Sequence, residues 1–237
     1  MEIVPLGDSA LIVRVREDFR NDSDATSEAV LAALHRLESA KIPGVVDLAP
    51  AYTTIAVFFD PIRVVEAGAS FASVIDWLTE KIQRALHKDA KRKQKKAETR
   101  TVEIPVCYEN EFAPDLGDVA RRANISPQEV TKIHAAPEYR VACVGFTPGF
   151  GFLSGLDPKL ATPRRSTPRT DVPPGSVAIG GTQTGVYPMR SPGGWNIIGR
   201  TPLRMFDVRR NPPTLLCTGD RIRFRGITRE EFERSTS

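Results

Sequence analysis

The segment from Gly145 to Trp195 constrains the fold of this 237-residue chain more than any other. It is rich in glycine and proline, and 11 of the 17 glycines lie between residues 145 and 205. Glycine and proline disfavour helix interiors, and proline cannot donate to the hydrogen-bond ladder of a central strand. This composition therefore predicts short strands joined by long turns, which is typical of a closed or nearly closed β-barrel.

Strand-like apolar runs surround this segment and define a predicted barrel domain over residues 101–237. The predicted strands are Thr101–Tyr108, Tyr139–Val144, Ser176–Ile179, Trp195–Ile198, Leu203–Phe206 and Arg221–Phe224. Two short helices are predicted at Leu116–Ala123 and Ser126–Ala135. The second has a strong start signal, because Ser126 can cap it and Glu129 can close a capping box.

Residues 1–87 have a different pattern, β-β-α-β-β-α. The predicted strands are Ala10–Val15, Val45–Leu48 and Thr54–Phe59, and the predicted helices are Asn21–Ser39 and Phe71–His87. Apolar residues recur every three or four positions in both helices. Two helices on one face of a small antiparallel sheet form an α+β layer, so we predict a ferredoxin-like domain here.

A short basic run, residues 88–100, separates the two patterns. Its seven basic and two acidic residues give a net charge of +5, whereas the whole chain carries +4. Proteins that bind nucleic acid usually spread positive charge over a face. We therefore predict a solvated linker and no nucleic-acid partner.

Several features of location and cofactor chemistry are absent from the sequence. It has no apolar run of about 18 residues and no signal-peptide pattern at its start, so we expect a cytoplasmic protein without a membrane contact. It also has no phosphate loop, no HExxH and no GxSxG. With three histidines at unrelated spacings, no bound metal is expected.

Three arginines, Arg164, Arg165 and Arg169, lie in the motif TPRRSTPR. Proline before Arg164 and before Arg169 fixes one backbone dihedral, and guanidinium groups bind carboxylate or phosphate at two points. Two interpretations follow. The arginines either bind an anion of a substrate, nucleotide or partner, or they hold loops in place by bonding backbone carbonyls or internal carboxylates.

A second motif, GGTQTGVYP, follows the predicted strand Ser176–Ile179. Gly180 and Gly181 permit close approach of a ligand or another backbone. Gln183 and Thr184 offer donors and acceptors, and Tyr187 offers an aromatic wall. Tight hairpins alone would also explain these glycines.

His134 ends the second predicted helix of the barrel domain, where the helix dipole favours an imidazolium. It is either a helix-terminal residue in contact with carbonyls or a general acid–base group that faces the glycine-rich loops.

Three motifs together carry a family resemblance: GFTPGFGFLSGL, PRRSTPRTDVPPGSVAIGGTQTGVYP and SPGGWNIIGRTPL. They resemble the Kip-type histidine-kinase inhibitor family, also called allophanate hydrolase subunit 1 or the B subunit of the bacterial ATP-dependent 5-oxoprolinase. The resemblance implies an N-terminal α/β domain and a C-terminal cyclophilin-like β-barrel. One departure is visible, because the family usually has PGFPYL where this chain has PGFGFL at residues 148–153.

The resemblance also implies partners and an activity. A sister Kip-A-type subunit and a third subunit would act with this chain to open the lactam of 5-oxoproline to glutamate, using ATP with Mg²⁺ bound largely on the partner. The chain alone would be inactive. The alternatives are a regulatory protein that inhibits a sensor histidine kinase and part of a urea carboxylase-like carboxyltransferase.

For this activity we assign expected roles to eleven residues, from the chemistry that the reaction requires. Anion binding falls to Arg164, Arg165 and Arg169. Substrate orientation falls to Gln183, Thr184 and the amides of Gly180 and Gly181. Proton transfer falls to His134, and the cavity wall to Tyr187, Phe146 and Phe150.

Overall fold

The computed structural model describes residues 2–19, 23–87 and 100–236. The chain divides into two compact units, Met1–Glu98 and Thr99–Ser237. The predicted linker at 88–100 lies outside the described residues except for Arg100.

The N-terminal unit contains an antiparallel sheet with strand order β1-β2-β4-β3 among its described residues. The strands are β1 (Glu2–Pro5), β2 (Ala10–Arg14), β3 (Val45–Ala51) and β4 (Thr54–Phe59). The helices are α1 (Ser23–Ala40), α2 (Pro61–Glu66) and α3 (Val74–His87), with a 3-10 turn at Phe71–Ser73. Strand residues such as Leu11 and Val57 pack with Val30, Leu78 and Ile82 of the helices. The predicted order β-β-α-β-β-α is present, and the ferredoxin-like class stays a prediction.

Helix α2 is an addition to the predicted elements, because in the sequence Pro61 indicates only the end of a strand. Instead, Pro61 occupies the first turn of the helix, where its missing N–H costs nothing. The Asp60 carboxylate accepts hydrogen bonds from the amides of Ile62 and Arg63 and caps the helix.

The C-terminal unit contains a closed seven-stranded barrel, in the order β6-β13-β5-β12-β9-β10-β7 and back to β6. Its strands are β5 (Thr101–Cys107), β6 (Glu138–Val144), β7 (Gly151–Ser154), β9 (Ser176–Gly180), β10 (Gln183–Val186), β12 (Asn196–Arg200) and β13 (Arg221–Ile227). A separate ribbon pairs β8 (Arg169–Val172) with β11 (Ser191–Gly193). The predicted β-barrel is therefore confirmed.

Three helices pack on the barrel: α4 (Leu116–Ala123), α5 (Pro127–Ala135) and α6 (Arg229–Thr236). The predicted cap of α5 is present, since the Ser126 hydroxyl accepts from the Glu129 amide at 3.1 Å. None of the helices in the described part of the chain is long and apolar enough to cross a bilayer.

The predicted strand Leu203–Phe206 is wrong. The Leu203 amide donates to the Thr201 hydroxyl, which turns the chain, and only Phe206 makes a bridge, to Thr214. Pro202 precedes the segment and lacks the N–H that a strand ladder needs.

Candidate active site

A cavity of about 380 Å³ in the C-terminal unit is walled mainly by aromatic rings. Its lining residues are Phe146, Phe150, Phe152, Arg164, Arg165, Pro168, Tyr187, Pro192, Gly193, Gly194 and Trp195. We call it the aromatic cavity. Its volume lies within the range of roughly 300–1,000 Å³ that is usual for small-molecule sites.

Phe150 stands at the centre of the aromatic wall. Its ring makes edge contacts with those of Phe146, Phe152, Tyr187 and Trp195, at centroid distances of 5.7, 4.7, 5.2 and 5.5 Å. Such pairs each contribute about 0.5–1.5 kcal/mol beyond the area that they bury. The wall is therefore preorganised, and Phe146, which is 67% exposed, stands at its rim.

Two glycines let these rings sit directly on the backbone. A Cβ atom at Gly180 would lie 2.4 Å from the Trp195 ring, and one at Gly193 would lie 2.3 Å from the Tyr187 hydroxyl. Gly180 therefore shapes the cavity, because the absence of a side chain there leaves room for the Trp195 ring.

We expect Gly180→Ala to destabilise the chain by about 1–3 kcal/mol, because the methyl group would overpack the site and displace Trp195. The measurements are chemical denaturation and the tryptophan emission maximum. Gly226→Ala is the matched strand control, since a Cβ there meets nothing within 4 Å. An unchanged emission maximum and stability for Gly180→Ala would contradict this role.

Asp115 holds two of the predicted arginines in place. Its carboxylate, 2% exposed, accepts from Arg165 at 2.8 Å and from both terminal nitrogens of Arg169 at 2.8 Å. It also accepts from the Ile197 amide at 2.7 Å, and the Asp115 amide donates back to the Ile197 carbonyl at 2.9 Å. The second interpretation of these arginines, bonding to an internal carboxylate, therefore describes Arg169 and part of Arg165.

One positive charge remains in this cluster, because two guanidinium groups share one carboxylate. Arg165 lines the aromatic cavity, and its Nε is buried without a hydrogen-bond partner among the described residues. Arg164 lies with its guanidinium 5.9 Å from the Trp195 ring centroid. The cavity thus combines apolar walls with a net positive edge, which suits a small ring that bears a carboxylate.

His134 lies inside the barrel, fully buried, and does not line the aromatic cavity. Its Nε2 lies 2.9 Å from the Thr184 hydroxyl, and its Nδ1 lies 2.8 Å from the Tyr108 hydroxyl. Because Thr184 donates its own proton to the Ala178 carbonyl, it accepts from Nε2–H, and Tyr108 donates to Nδ1. This arrangement satisfies a neutral imidazole.

The expectation of an imidazolium at this helix end is wrong. Burial lowers the pKa of His134 from 6.5 to about 3, because a charged ring inside the barrel loses its hydration. Desolvation outweighs the helix dipole, whose effect is confined to about 2 kcal/mol in favourable sites.

The aromatic cavity brings together five of the eleven predicted site residues: Phe146, Phe150, Arg164, Arg165 and Tyr187. Arg169 does not line the cavity, and its guanidinium pairs with the Asp115 carboxylate. Gly180 lies under Trp195, and the Gly181 amide already donates to the Thr162 carbonyl at 2.7 Å. Thr184 is fully buried beside His134, and Gln183 pairs with Gly180 in the sheet outside this cavity.

Sequence reasoning misses Asp115, Phe152 and Trp195 as site residues. The signal for Asp115 is its place before helix α4, where an aspartate normally caps the helix. Its side chain makes no capping bond and instead accepts from Arg165 and Arg169, so its position in the sequence predicts a different role from the one that it has. Among the described residues, no group of three or more histidine, cysteine, aspartate or glutamate side chains is placed to hold a metal ion.

Comparison with known proteins places the chain in a family. The family model described as "Carboxyltransferase domain, subdomain C and D" matches residues 1–216. The 5-oxoprolinase B subunit of Bacillus subtilis (strain 168) is 40% identical over 232 residues, which are 98% of this chain and 95% of the relative.

Two solved structures are similar as well. The crystal structure of TTHA0988 has a TM-score of 0.74 and 35% identity, and covers 92% of this chain, which spans 39% of that longer chain. The crystal structure of the uncharacterized protein PH0987 from Pyrococcus horikoshii has a TM-score of 0.55 and 38% identity, and covers 98% of this chain and all of the other. The chain therefore belongs to the family of carboxyltransferase subdomains C and D that includes the B subunits of 5-oxoprolinases.

Proposed function

We propose that this chain is the B subunit of an ATP-dependent 5-oxoprolinase, which hydrolyses the lactam of 5-oxoproline to glutamate. The observation that carries the proposal is 40% identity to a 5-oxoprolinase B subunit over 98% of this chain and 95% of that relative. We infer that it acts in the cytoplasm with a sister Kip-A-type subunit and a third subunit. We also infer a ferredoxin-like class for the N-terminal unit and a cyclophilin-like class for the barrel.

The aromatic cavity fits the shape and charge of 5-oxoproline. The substrate is a five-membered lactam ring with one carboxylate. The faces and edges of Phe150, Tyr187 and Trp195 would contact the ring, and Arg164 with Arg165 would bind the carboxylate. The Asp115 contacts keep Arg165 in one position, so little side-chain entropy is lost on binding.

The reaction requires activation, because an unstrained lactam is a poor electrophile. We propose that the lactam oxygen attacks the γ-phosphorus of ATP, forming a new O–P bond as the bond to ADP breaks. Water then adds to the activated carbon, the C–N bond breaks and the ring nitrogen takes a proton. A second water releases phosphate and leaves the γ-carboxylate of glutamate.

The residues of this chain contribute binding and electrostatics to these steps. The positive edge of the cavity, Arg164 and Arg165, stabilises the substrate carboxylate near the phosphoryl group. Mg²⁺ would accompany the ATP phosphates, to which it characteristically binds. Proton transfer by His134 stays a prediction from the sequence, and its burial favours a structural role. We expect the partner subunits to supply the remaining groups.

Arg165→Ala should lower the kcat/KM of the reconstituted three-subunit enzyme for 5-oxoproline by about 10- to 100-fold, since a charged hydrogen bond contributes about 1.5–3 kcal/mol. The measurement is glutamate release. Arg121→Ala, on the exposed face of α4 with its guanidinium 3.0 Å from the Asp118 carboxylate, is the control and should keep full activity.

Two outcomes would count against the proposal. Full activity of Arg165→Ala would remove Arg165 from the site. ATP-dependent release of glutamate by this chain alone would contradict the need for partner subunits.

A carboxyltransferase role is the second candidate, because the matching family model is described as a carboxyltransferase domain. The two roles differ in what is consumed. A carboxyltransferase incorporates labelled bicarbonate into product through a carboxylated carrier, whereas lactam hydrolysis incorporates none. Labelled product from the reconstituted complex, without glutamate release from 5-oxoproline, would favour the second candidate.

A further inference from the structure

A second cavity of the C-terminal unit, of about 540 Å³, shares no lining residue with the aromatic cavity. Its wall includes three arginines and two phenylalanines: Arg190, Arg200, Arg204, Phe206 and Phe232. We call it the arginine cavity. Arginines beside an aromatic side chain are suited to bind a phosphorylated ring compound.

The guanidinium of Arg200 is held in place by a carbonyl and an aromatic ring, neither of which offsets its positive charge. Its Nε donates to the Pro174 carbonyl at 2.9 Å, and its guanidinium carbon lies 6.0 Å from the Phe232 ring centroid. Neither of its terminal nitrogens has a hydrogen-bond partner within the ranges 2–19, 23–87 and 100–236. A fixed guanidinium with free donors needs little reorganisation to bind an anion.

The positive charge of Arg204 is only partly offset by a neighbouring carboxylate. Asp207 lines the cavity, but its carboxylate accepts from Nε and a terminal nitrogen of Arg209 at 3.2 and 3.1 Å and from the Arg209 amide at 3.0 Å. The bonds from Arg209 hold the pKa of Asp207 well below its usual range. Arg204 meets the same carboxylate only at 3.3 Å, and its side chain is 66% exposed. Because Arg209 already offsets Asp207, Arg200 and Arg204 leave the cavity positive.

We propose that the arginine cavity binds a nucleoside triphosphate, with Arg200 and Arg204 on the phosphates and Phe206 against the base. The choice of ATP as the natural ligand rests on the proposed function, whereas the class of ligand rests on the cavity itself. Its volume is within the usual range for ligand sites. Bases stack on aromatic side chains whatever their sequence.

The two cavities lie on either side of one segment, residues 187–193. Tyr187, Pro192 and Gly193 line the aromatic cavity, while Pro188, Met189 and Arg190 line the arginine cavity. The lactam and the nucleotide would then occupy neighbouring sites of one barrel, and the triphosphate has to extend past residues 187–193 for the lactam oxygen to reach the γ-phosphorus.

The test is isothermal titration calorimetry, in which the chain alone is titrated with MgATP, inorganic tripolyphosphate and adenosine. We expect MgATP to bind, tripolyphosphate to bind more weakly and adenosine to bind weakest. Arg204→Glu should weaken MgATP binding at least about tenfold, because it replaces a charged donor with a repelling carboxylate. Phe206→Ala should weaken MgATP binding but leave tripolyphosphate binding unchanged.

Arg84→Glu is the matched control, since it makes the same change of charge at an exposed arginine of α3, in the other unit. Circular dichroism and the melting temperature check that each variant is folded, and Arg204 is exposed enough to be replaced without disturbing the core.

Three results would overturn the proposal: no MgATP binding to the chain, wild-type binding by Arg204→Glu, or equal binding of tripolyphosphate and MgATP. If Arg204→Glu no longer binds the sister chain while its MgATP binding is unchanged, the cavity belongs to a protein partner instead. The proposed function is tested separately by glutamate release from the reconstituted complex. A complex that is active while this chain fails to bind MgATP refutes this inference alone, and MgATP binding in a complex inactive on 5-oxoproline refutes the proposed function alone.

Discussion

Asp115→Asn should lower the free energy of unfolding of this chain by about 2–4 kcal/mol, and the kcat/KM of the reconstituted enzyme at least about tenfold. The carboxylate of Asp115 is 2% exposed and bonds two guanidinium groups and the Ile197 amide. An asparagine amide keeps the shape, but its NH₂ group faces donors and its charge is gone. A broken buried pair usually costs about 3–5 kcal/mol, and we expect somewhat less here because the side chains of Arg165 and Arg169 are 34% and 25% exposed.

The matched control is Asp118→Asn, in helix α4, which Asp115 precedes. Asp118 pairs with Arg121 at 3.0 Å, but both side chains are exposed, so the change should cost less than about 1 kcal/mol. Chemical denaturation of the two variants gives the comparison, and glutamate release gives the activity. If Asp115→Asn unfolds at the same denaturant concentration as Asp118→Asn and retains activity, the carboxylate does not position Arg165.

The elements that sequence reasoning predicts well are those whose signals are local. Helix α4 has its predicted limits, and α5 starts at Pro127 after the Ser126 cap. A cap needs only residues three positions apart, and both are visible in the sequence. The prediction for Leu203–Phe206 is wrong because a strand needs a partner elsewhere in the chain, and sequence periodicity does not reveal whether one exists.

The same limit applies to the site. The residue types point to anion-binding arginines, and two of the three line the aromatic cavity. The carboxylate that Arg165 and Arg169 bind lies 50 and 54 residues away in sequence, so only the fold shows that it is shared. The glycines of the GGTQTG motif suggest ligand contact, but Gly180 is required by the ring of Trp195. A glycine reports close approach without identifying what approaches.

Lowering the pH from about 7.5 to about 5 should cost this chain about 2 kcal/mol of stability through His134 alone. Burial lowers the pKa of His134 from 6.5 to about 3 in the folded state. Between these values the unfolded chain binds a proton that the folded chain does not, so stability is present above pH 6.5 and is lost as the pH falls toward 3. The ring is neutral in the folded state because burial removes the hydration that a charged ring needs, and Tyr108 and Thr184 complete the hydrogen bonds of the neutral form.

The measurement is urea denaturation at several pH values between 7.5 and 5. The range stops at pH 5 because Glu138 and Asp207 also have lowered pKa values in the folded chain. Their contributions to stability are lost as the pH falls below their ordinary pKa values of 4.5 and 3.8, which would overlap with the effect of His134. His134→Gln should be less stable at pH 7.5, since glutamine lacks the ring that stacks on Phe224 at a centroid distance of 4.6 Å. Its stability should depend less on pH by about 1.4 kcal/mol per pH unit. His87→Gln, at an exposed position, is the control for the replacement of a histidine by glutamine. A slope in His134→Gln equal to that of the wild type would mean that His134 gains its proton in the folded barrel. It would then be a group able to transfer protons, as one interpretation of the sequence predicts, rather than a fixed part of the core.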